Sequence, residues 1–170
     1  MEIERKFTLK ELPKNLEQFE KKEIEQAYLC TGSIVVRIRK SNEEYYLTYK
    51  SKKGLKPQGN VTARACEEVE LPLDKTSYEH LREKADGQWI VKTRYLIPIE
   101  QGRKIELDVF HGVLEGLYFA EIEFESEAEA AAYVMPDWFL EDVTFDRRYS
   151  NAVMTRYQSL EDLMNAVTEK

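Results

Sequence analysis

In seven stretches of the chain the charged side chains alternate with other residues, and in one of these stretches Thr48 shares the parity of Lys50. Successive side chains of a β-strand point to opposite faces, so this spacing places the charges of each stretch on one face. The positions concerned are Glu2, Glu4 and Lys6, then Arg37 and Arg39, Lys50, Arg64, Glu68 and Glu70, Lys92 and Arg94, Glu106 and Asp108, and finally Glu121 and Glu123. A period of two favours strands over helices, so the sequence predicts a protein built mainly from strands.

The positions between these charges are largely apolar. They are Val36, Ile38, Leu47, Tyr49, Val69, Leu71, Val91, Tyr95, Ile105, Leu107, Val109, Ile122 and Phe124. Each stretch is therefore predicted to have one charged face and one apolar face. The apolar faces must be removed from water, and helices elsewhere in the chain are expected to cover them.

Turn and helix signals divide the chain into elements. Eight strands are predicted, at residues 2–9, 24–30, 34–40, 44–51, 62–71, 89–99, 103–110 and 117–125. Helices are predicted at residues 14–22, from Asp74 or Thr76 to Ala85 with Gly87 as terminator, from Ser126 to about Val134, and from about Asn151 onwards. The lysine-bearing stretch 52–60 contains turn residues and is predicted to be a loop, either a solvated hairpin tip or a basic flap near an anion site.

Two arrangements of the strands are open. An open sheet would leave the charges in solvent, where they form weakly stabilising pairs. A closed barrel would turn the charges inward, and eight strands is about the number that encloses one small ligand. Enclosing charges without water is very costly, so such a barrel must hold water, or a charged ligand together with a metal ion. The residues alone do not decide between the two arrangements.

Composition narrows the class of partner. The chain carries a net charge of −7, which argues against a nucleic acid or an anionic membrane as its main partner. No run of 18 apolar residues occurs, and the N-terminus is too charged for a secretory signal peptide. Cys30 and Cys66 have neither a metal-ligand spacing nor a disulfide framework. A cytoplasmic protein with reduced thiols is therefore expected.

The chemistry suggested by the charges is phosphoryl transfer. The chain has no GxxxxGK[ST] phosphate loop, no G-x-G-x-x-G and no G-x-S-x-G motif. His80 and His111 are expected at the surface, which argues against a histidine-based zinc site. Carboxylates for a cation and basic residues for phosphate oxygens remain. In the first strand Glu2 and Glu4 suit a hard divalent cation and Lys6 suits an anion, with a solvated edge strand of mixed charge as the alternative.

The ordered series of motifs resembles a known family. From residue 2 to about residue 151 it reads E-x-E-x-K, R-x-R, a lone K, R-x-x-x-E-x-E, K-x-R, E-x-D and E-x-E. This series is similar to that of the CYTH superfamily, the triphosphate tunnel metalloenzymes. The resemblance implies an α+β fold, a closed eight-stranded antiparallel β-barrel with helices packed outside, in a single domain of residues 1–170. It also implies a small-molecule triphosphate as substrate and Mg or Mn as cofactor, and leaves the oligomeric state open, a homodimer included.

Roles for the charged residues follow from the same resemblance. The metal ligands would be Glu2, Glu4, Glu121 and Glu123, on strands one and eight, which are neighbours in a closed barrel. The triphosphate would be held by Lys6, Arg37, Arg39, Lys50, Arg64, Lys92, Arg94 and Arg147. The catalytic set would comprise Lys6 with Glu68, Glu70, Glu106 and Asp108, where the four acids bind a second metal, orient the attacking water or pair with the basic residues. Arg147, Tyr149 and Asn151 resemble a segment that closes the tunnel, with core packing as the alternative for Tyr149.

Three activities compete under this resemblance. An inorganic triphosphatase needs only the basic clamp and the metal, whereas a thiamine triphosphatase needs an additional pocket that the sequence does not locate. Class IV adenylate cyclases carry a His-Phe pair shortly before E-x-E-x-K, and this pair is not expected here because the motif begins at residue 2. The sequence therefore predicts a hydrolase in which water attacks a terminal phosphorus of a triphosphate. A cyclase making cyclic AMP and a non-catalytic polyphosphate- or nucleotide-binding module are the alternatives.

Overall fold

One closed sheet dominates the structure, a computed structural model that describes residues 2–51 and 63–166. In these residues the sheet has nine antiparallel strands, β1 to β9. They are Glu2–Leu9, Glu20–Thr31, Ile34–Ser41, Glu44–Ser51, Arg64–Leu73, Asp86–Pro98, Lys104–His111, Tyr118–Glu123 and Phe139–Asp142. Strands β1 and β4 have the predicted bounds, and the predicted loop at 52–60 lies outside the described residues.

Strand β1 closes the barrel because it pairs along both of its edges. The strands follow one another in the order β5, β4, β3, β2, β6, β7, β8 and β1, and β1 also pairs with β5. Glu4 accordingly lies opposite Arg64 of β5 on one side and opposite Glu123 of β8 on the other. Further along β1, Phe7 lies opposite Asp142 of β9. The predicted closed eight-stranded antiparallel barrel is confirmed, and β9 is an additional strand on it.

The largest apolar cluster lies on the outside of the barrel wall. Its buried members on β1, β7 and β8 include Ile3, Phe7, Ile105, Leu107, Ala120 and Ile122. Helix α2 (Glu127–Ala132) and β9 cover this surface through Ala130 and Phe139. Helix α2 begins as predicted, because the Ser126 hydroxyl accepts a hydrogen bond from the Glu129 amide. Since the apolar positions face outward here, the charged positions between them face the lumen.

Helix α1 (Lys75–Arg82) covers a second part of the outer wall. It is capped as predicted by Asp74, whose carboxylate accepts from the backbone of the first turn. Tyr78 of this helix is buried against Ala27 of β2 and Ile38 of β3. The helix therefore removes the outer faces of these two strands from water.

The outer face of β4 and β5 remains exposed. Tyr49 is 37% exposed, Val69 51% and Leu71 52%. Tyr49 and Val69 lie opposite each other in the strand register, so they form one patch. The expectation that helices cover all the apolar faces is wrong at this patch.

The helix predicted at residues 14–22 is also wrong. A 3₁₀ turn forms at Leu16–Gln18, preceded by Asn15 in a left-handed conformation with φ 64°. Strand β2 begins only two residues later, because it pairs with β6 from Glu20 opposite Leu96. The long β2–β6 ladder offers more backbone hydrogen bonds than another helical turn, so the tertiary pairing overrides the local apolar spacing.

The chain that follows the barrel closes one of its ends. The predicted C-terminal helix is divided into α3 (Asn151–Met154) and α4 (Leu160–Ala166). Met154 and Leu163 are fully buried in a second apolar cluster. The wall residues of this cluster at lumen-facing positions are Ile90, Phe110 and Phe119. None of the described helices is long and apolar enough to cross a bilayer.

Gly87 permits the C-terminal segment to approach β6 closely. Its φ is +74°, and a Cβ atom at this position would lie 2.6 Å from the carbonyl oxygen of Thr155. The next amide, that of Gln88, donates to the same oxygen at 2.6 Å. Gly87 is therefore a docking position within β6, and not the helix terminator that the sequence predicts, because α1 already ends at Arg82.

Arg5 fastens the outer cover to the barrel. Its Nη1 donates to the carbonyl oxygens of Ala130, at 2.8 Å, and Tyr133, at 3.0 Å. Its Nε and Nη2 donate to Oδ2 of Asp142 at 3.1 and 2.6 Å. One guanidinium from β1 thus holds both the end of α2 and strand β9. Hydrogen bonds of this charge-assisted kind are stronger than neutral ones.

Replacing this guanidinium tests how much the cover contributes to stability. The variant Arg5→Met keeps a long apolar stem but leaves two carbonyl groups and one carboxylate without their donor. We expect a loss of at least about 2 kcal/mol in the free energy of unfolding, measured by urea denaturation. The matched control is Lys21→Met, which removes an exposed ion pair with Glu17 and should change stability little. Equal effects of both substitutions would show that Arg5 is not the fastening point.

Candidate functional site

The lumen of the barrel is a cavity of about 1180 Å³ with a charged lining. The charged residues that line it are Glu2, Glu4, Lys6, Arg37, Arg39, Lys50, Glu68, Glu70, Arg94, Glu106, Glu121, Glu123 and Arg147. All of them were singled out in the sequence, and the structure brings them together. The side chain of Arg64 lies outside the described residues, although its backbone pairs with Glu4.

Arg39 has a half-buried charge with no acidic partner among the described residues. Its Nε and Nη2 donate to Oε1 of Gln26, at 3.2 and 3.0 Å, and the amide carries no charge. Burial, followed by the neighbouring charges of Arg37 and Arg94, lowers the pKa of Arg39 to about 10. The group is therefore still protonated at neutral pH, and a bound anion would stabilise it.

Arg37 extends this positive surface. Its Nη2 donates to the hydroxyl of Thr48 at 3.0 Å and lies 3.5 Å from a carboxylate oxygen of Glu68. Its Nε is buried and has no hydrogen-bond partner within residues 2–51 and 63–166 as far as the structure describes them. Arg37 and Arg39 are two residues apart on β3, so both side chains lie on the same face of the strand and point into the lumen. Together they form a basic surface that is only partly compensated.

Arg94 is held in a different way, by three carboxylates. Its Nε donates to Asp108 at 2.6 Å and its Nη2 to Glu121 at 2.6 Å, and Nη1 donates to Glu106. Burial lowers the pKa of Arg94, but Asp108 and Glu106 outweigh this effect and the pKa lies well above its usual value. The charge of Arg94 is therefore compensated within the protein, unlike that of Arg39.

Lys92 and Asp108 lie inside the barrel but outside the cavity, between the cavity and the apolar residues of the closed end. Both are 0% exposed, and the Lys92 Nζ atom is 2.5 Å from Oδ2 of Asp108. Burial lowers the pKa of Lys92, while the Asp108 carboxylate opposes this shift. Neither residue lines the cavity. The strand period identifies the correct face for both, but the structure places them too far toward the closed end of the barrel to contact a ligand in the cavity.

Glu4 and Glu123 form an acidic pair in the lumen. They lie opposite each other on β1 and β8, and neither forms an ion pair within the described residues. Burial, and then the negative charge of Glu106, raises the pKa of Glu123. Glu121 differs, because Lys6 at 2.8 Å and Arg94 at 2.6 Å already compensate it. Of the four predicted metal ligands, Glu4 and Glu123 are thus the pair without a cationic partner in the described part of the chain.

Glu2 belongs to a separate cluster at the β1–β5 seam. Lys50 Nζ lies between Glu2, at 2.6 Å, and Glu68, at 2.8 Å, and the Cys66 thiol donates to Glu2 at 3.2 Å. In the part of the chain that the structure describes, one group of three metal-ligating side chains has its atoms within 4.8 Å, and it comprises Glu2, Cys66 and Glu68. Burial above all raises the pKa of Glu2 to about 7 and that of Cys66 to about 12.

The C-terminal segment contributes to the closed end of the cavity. The Lys6 ammonium donates to the carbonyl oxygen of Tyr149 at 2.6 Å and lies 4.5 Å from the centre of the Phe119 ring. The Tyr149 ring packs edge-on against Phe119, in agreement with the core-packing alternative. Arg147 and Asn151 line the cavity, as expected for a segment that closes it.

Comparison with known proteins agrees with this arrangement. The sequence model of the CYTH domain matches residues 1–150. The chain belongs to the CYTH domain family. It is 39% identical over 155 residues to an inorganic triphosphatase of Nitrosomonas europaea, covering 90% of this chain and 95% of that protein. A second inorganic triphosphatase, of Acetivibrio thermocellus, is 36% identical over 129 residues, which are 75% of this chain and 76% of that one.

A solved structure gives the same result for the fold. The crystal structure of an inorganic triphosphatase superposes with a TM-score of 0.66 at 35% sequence identity. The superposition covers 94% of this CYTH chain and 97% of the other. The closed barrel and its charged lumen are therefore features of a CYTH domain protein.

The buried Lys92–Asp108 pair makes an unequal prediction for its two members. Asp108→Asn leaves two buried cations with one carboxylate fewer, and we expect a loss of about 3–5 kcal/mol in the free energy of unfolding. Lys92→Met should cost clearly less, because Arg94 still compensates Asp108. Denaturant unfolding of both variants provides the measurement. Equal losses would mean that Arg94 does not share this carboxylate.

Proposed function

We propose that this protein hydrolyses linear triphosphates, inorganic tripolyphosphate foremost, with a divalent cation as cofactor. The observation that carries the proposal is the half-buried charge of Arg39, which has no acidic partner among the described residues and lies beside Arg37. A compact polyanion is the ligand that such a surface fits. Membership of the CYTH domain family and the names of its relatives support the same assignment.

The basic residues of the lumen would bind the phosphate chain. Arg37 and Arg39 present planar donor groups, which suit two adjacent oxygens of one phosphoryl group. Lys6 and Lys50 act as point charges, and Arg147 adds an exposed guanidinium to the cavity lining. Arg64 keeps the clamp role implied by its sequence position. Lys92 is assigned a supporting role instead, since it is fully buried against Asp108.

The acidic residues would hold a divalent cation. Glu4 and Glu123 are adjacent and uncompensated in the described part of the chain, so a bound cation would relieve their mutual repulsion. Glu2 has a raised pKa, and it would release a proton when a cation binds. Carboxylate oxygens are the ligands that Mg and Mn prefer. When bound, the cation would neutralise charge that develops on the phosphoryl oxygens. Glu121 completes the predicted set, although Lys6 and Arg94 already occupy its oxygens.

The remaining acids would serve the attacking water and the arginines. Glu70 lines the cavity, and its one described donor is the Thr48 hydroxyl at 3.4 Å, so it is free to accept a proton from water. Glu106 and Asp108 orient Arg94 instead. Glu68 holds Lys50 beside Glu2. Of the three roles left open by the sequence, we assign orientation of the water to Glu70 and charge pairing to the other three acids, and we assign none of the four to a second metal.

The reaction products distinguish a hydrolase from a cyclase. A hydrolase needs only to place water in line with a terminal phosphorus, whereas a cyclase must also fix the ribose hydroxyl against the α-phosphorus. We expect tripolyphosphate to be cleaved to pyrophosphate and phosphate at least tenfold faster than ATP is turned over. Chromatography of the products formed with Mn²⁺ or Mg²⁺ measures both rates. Cyclic AMP and pyrophosphate as the main products from ATP would overturn the assignment.

Replacing a carboxylate of the acidic pair separates catalysis from folding. Glu4→Gln keeps the size of the side chain but removes one of two adjacent negative charges. We expect a loss of activity of at least about a hundredfold and a higher divalent-ion requirement, with an unchanged or raised melting temperature because repulsion with Glu123 is relieved. The control is Glu43→Gln, at a side chain that is 91% exposed. A Glu4→Gln variant with normal metal dependence would place the cation elsewhere.

A further inference from the structure

Gln26 is a neutral residue among the charged side chains of the lumen. It lies on β2 opposite Arg39, and its neighbour on the same face, Tyr28, lies opposite Arg37. Gln26 is 0% exposed and does not line the cavity itself. It is therefore placed to act on a ligand only through the side chains that it contacts. The sequence patterns do not identify it, because they follow charge.

The hydrogen bonds of the Gln26 amide have only one consistent orientation. Arg39 has donors and no acceptor, so the oxygen Oε1 must face it, and it accepts from Nε and Nη2 at 3.2 and 3.0 Å. The nitrogen Nε2 then faces Tyr28 and donates to its hydroxyl oxygen at 3.0 Å. Both ends of the amide are thereby used. The side chain joins a cation to a phenol and adds no charge of its own.

The contrast with Arg94 shows what this neutrality achieves. Three carboxylates orient Arg94, and they also compensate its charge. Gln26 orients Arg39 through two hydrogen bonds and leaves the positive charge in place. A glutamate at position 26 would have the same shape and accept the same two hydrogen bonds. It would, however, cancel the charge that an incoming anion needs.

The same amide also sets the direction of the Tyr28 hydroxyl. Because Nε2 of Gln26 donates to the phenol oxygen, the hydrogen of that hydroxyl is left for another acceptor. Tyr28 lines the cavity, so its hydroxyl group is available to donate to a phosphoryl oxygen bound in the lumen. With a carboxylate at position 26 the hydroxyl would turn and donate to it instead.

We propose that Gln26 is a positioning residue that fixes Arg39 and the Tyr28 hydroxyl toward the bound anion without compensating the arginine charge. The inference rests on the proposed function for the identity of that anion, a linear triphosphate. According to this inference, substrate binding and turnover require an amide side chain at position 26, although this side chain does not line the cavity. Both the geometry and the neutrality of the side chain are needed.

The test compares two substitutions at position 26 with one control. Gln26→Glu keeps the shape and adds a negative charge, and Gln26→Met keeps the length and removes the hydrogen bonds. The control Gln88→Glu makes the same chemical change at an exposed amide that pairs with Gln158, outside the cavity. Melting temperature is measured without ligand, and KM and kcat are measured with tripolyphosphate at constant ionic strength.

The expected pattern differs between the variants. Gln26→Glu should raise the ligand-free melting temperature by about 2 °C or more, because it forms an ion pair with Arg39, and it should raise KM at least tenfold. Gln26→Met should not raise the melting temperature, and it should lower kcat by a larger factor than it raises KM, since Arg39 keeps its charge but loses its orientation. Gln88→Glu should match the original protein in all three quantities.

Each outcome decides the inference separately from the proposed function. If the original protein hydrolyses tripolyphosphate and Gln26→Glu has an unchanged KM, the positioning role is wrong and the function stands. If the original protein does not hydrolyse tripolyphosphate, the function is wrong, and the ligand-free melting temperature of Gln26→Glu still tests the uncompensated arginine. A lowered melting temperature in both position-26 variants, with kcat and KM unchanged in Gln26→Met, would reduce Gln26 to a packing residue. Should Gln26→Glu not fold, the kcat and KM of Gln26→Met decide alone.

Discussion

The double pairing of β1 is the constraint on which the rest of the structure depends. Because this strand joins β5 on one side and β8 on the other, its register sets which residues of three strands face the lumen. A shift of one residue in either ladder would turn the charges of β1 outward and its apolar residues inward. The outer cover would then lose Ile3 and Phe7, its anchors on this strand. The closure of the barrel, the packing of its outer cover and the set of side chains in the lumen therefore all depend on the register of β1.

Within the lumen the charges fall into two halves with different roles. On one side of the lumen, Arg94 of β6 and Lys6 of β1 are bound to carboxylates at short distances, so the positive charges of these two residues are compensated. On β3, Arg37 and Arg39 are bound mainly to neutral groups, Thr48 and Gln26. This half keeps an excess of positive charge that a polyanion can satisfy. The basic residues of the lumen thus differ in compensation, with Lys6 and Arg94 paired to carboxylates and Arg39 bound to a neutral amide.

The sequence predicts this architecture because a period of two reports directly on the two faces of a strand. It identifies nearly all the charged residues of the lumen, and it gives strands β1 and β4 their observed bounds. The two-residue period indicates which face of a strand a residue lies on, but not how deeply it is buried. The sequence therefore predicts Lys92 and Asp108 as site residues, although both are fully buried. The period also does not report on register between strands, so the contact of Cys66 with Glu2 could not be found. Strand β9 has four residues, too few for a periodic signal.

The main apolar cluster lies on the outside of the barrel, so the residues that stabilise the fold are separate from those that would bind the ligand. In most proteins a change near the active site also disturbs the core, so gains in activity are offset by losses in stability. Here the residues that drive folding, such as Phe7 and Leu107, point away from those that would bind the ligand. Lumen substitutions that reduce like-charge repulsion leave this external core intact. Such a scaffold can change its substrate preference by altering one face of each strand while the other face continues to specify the fold.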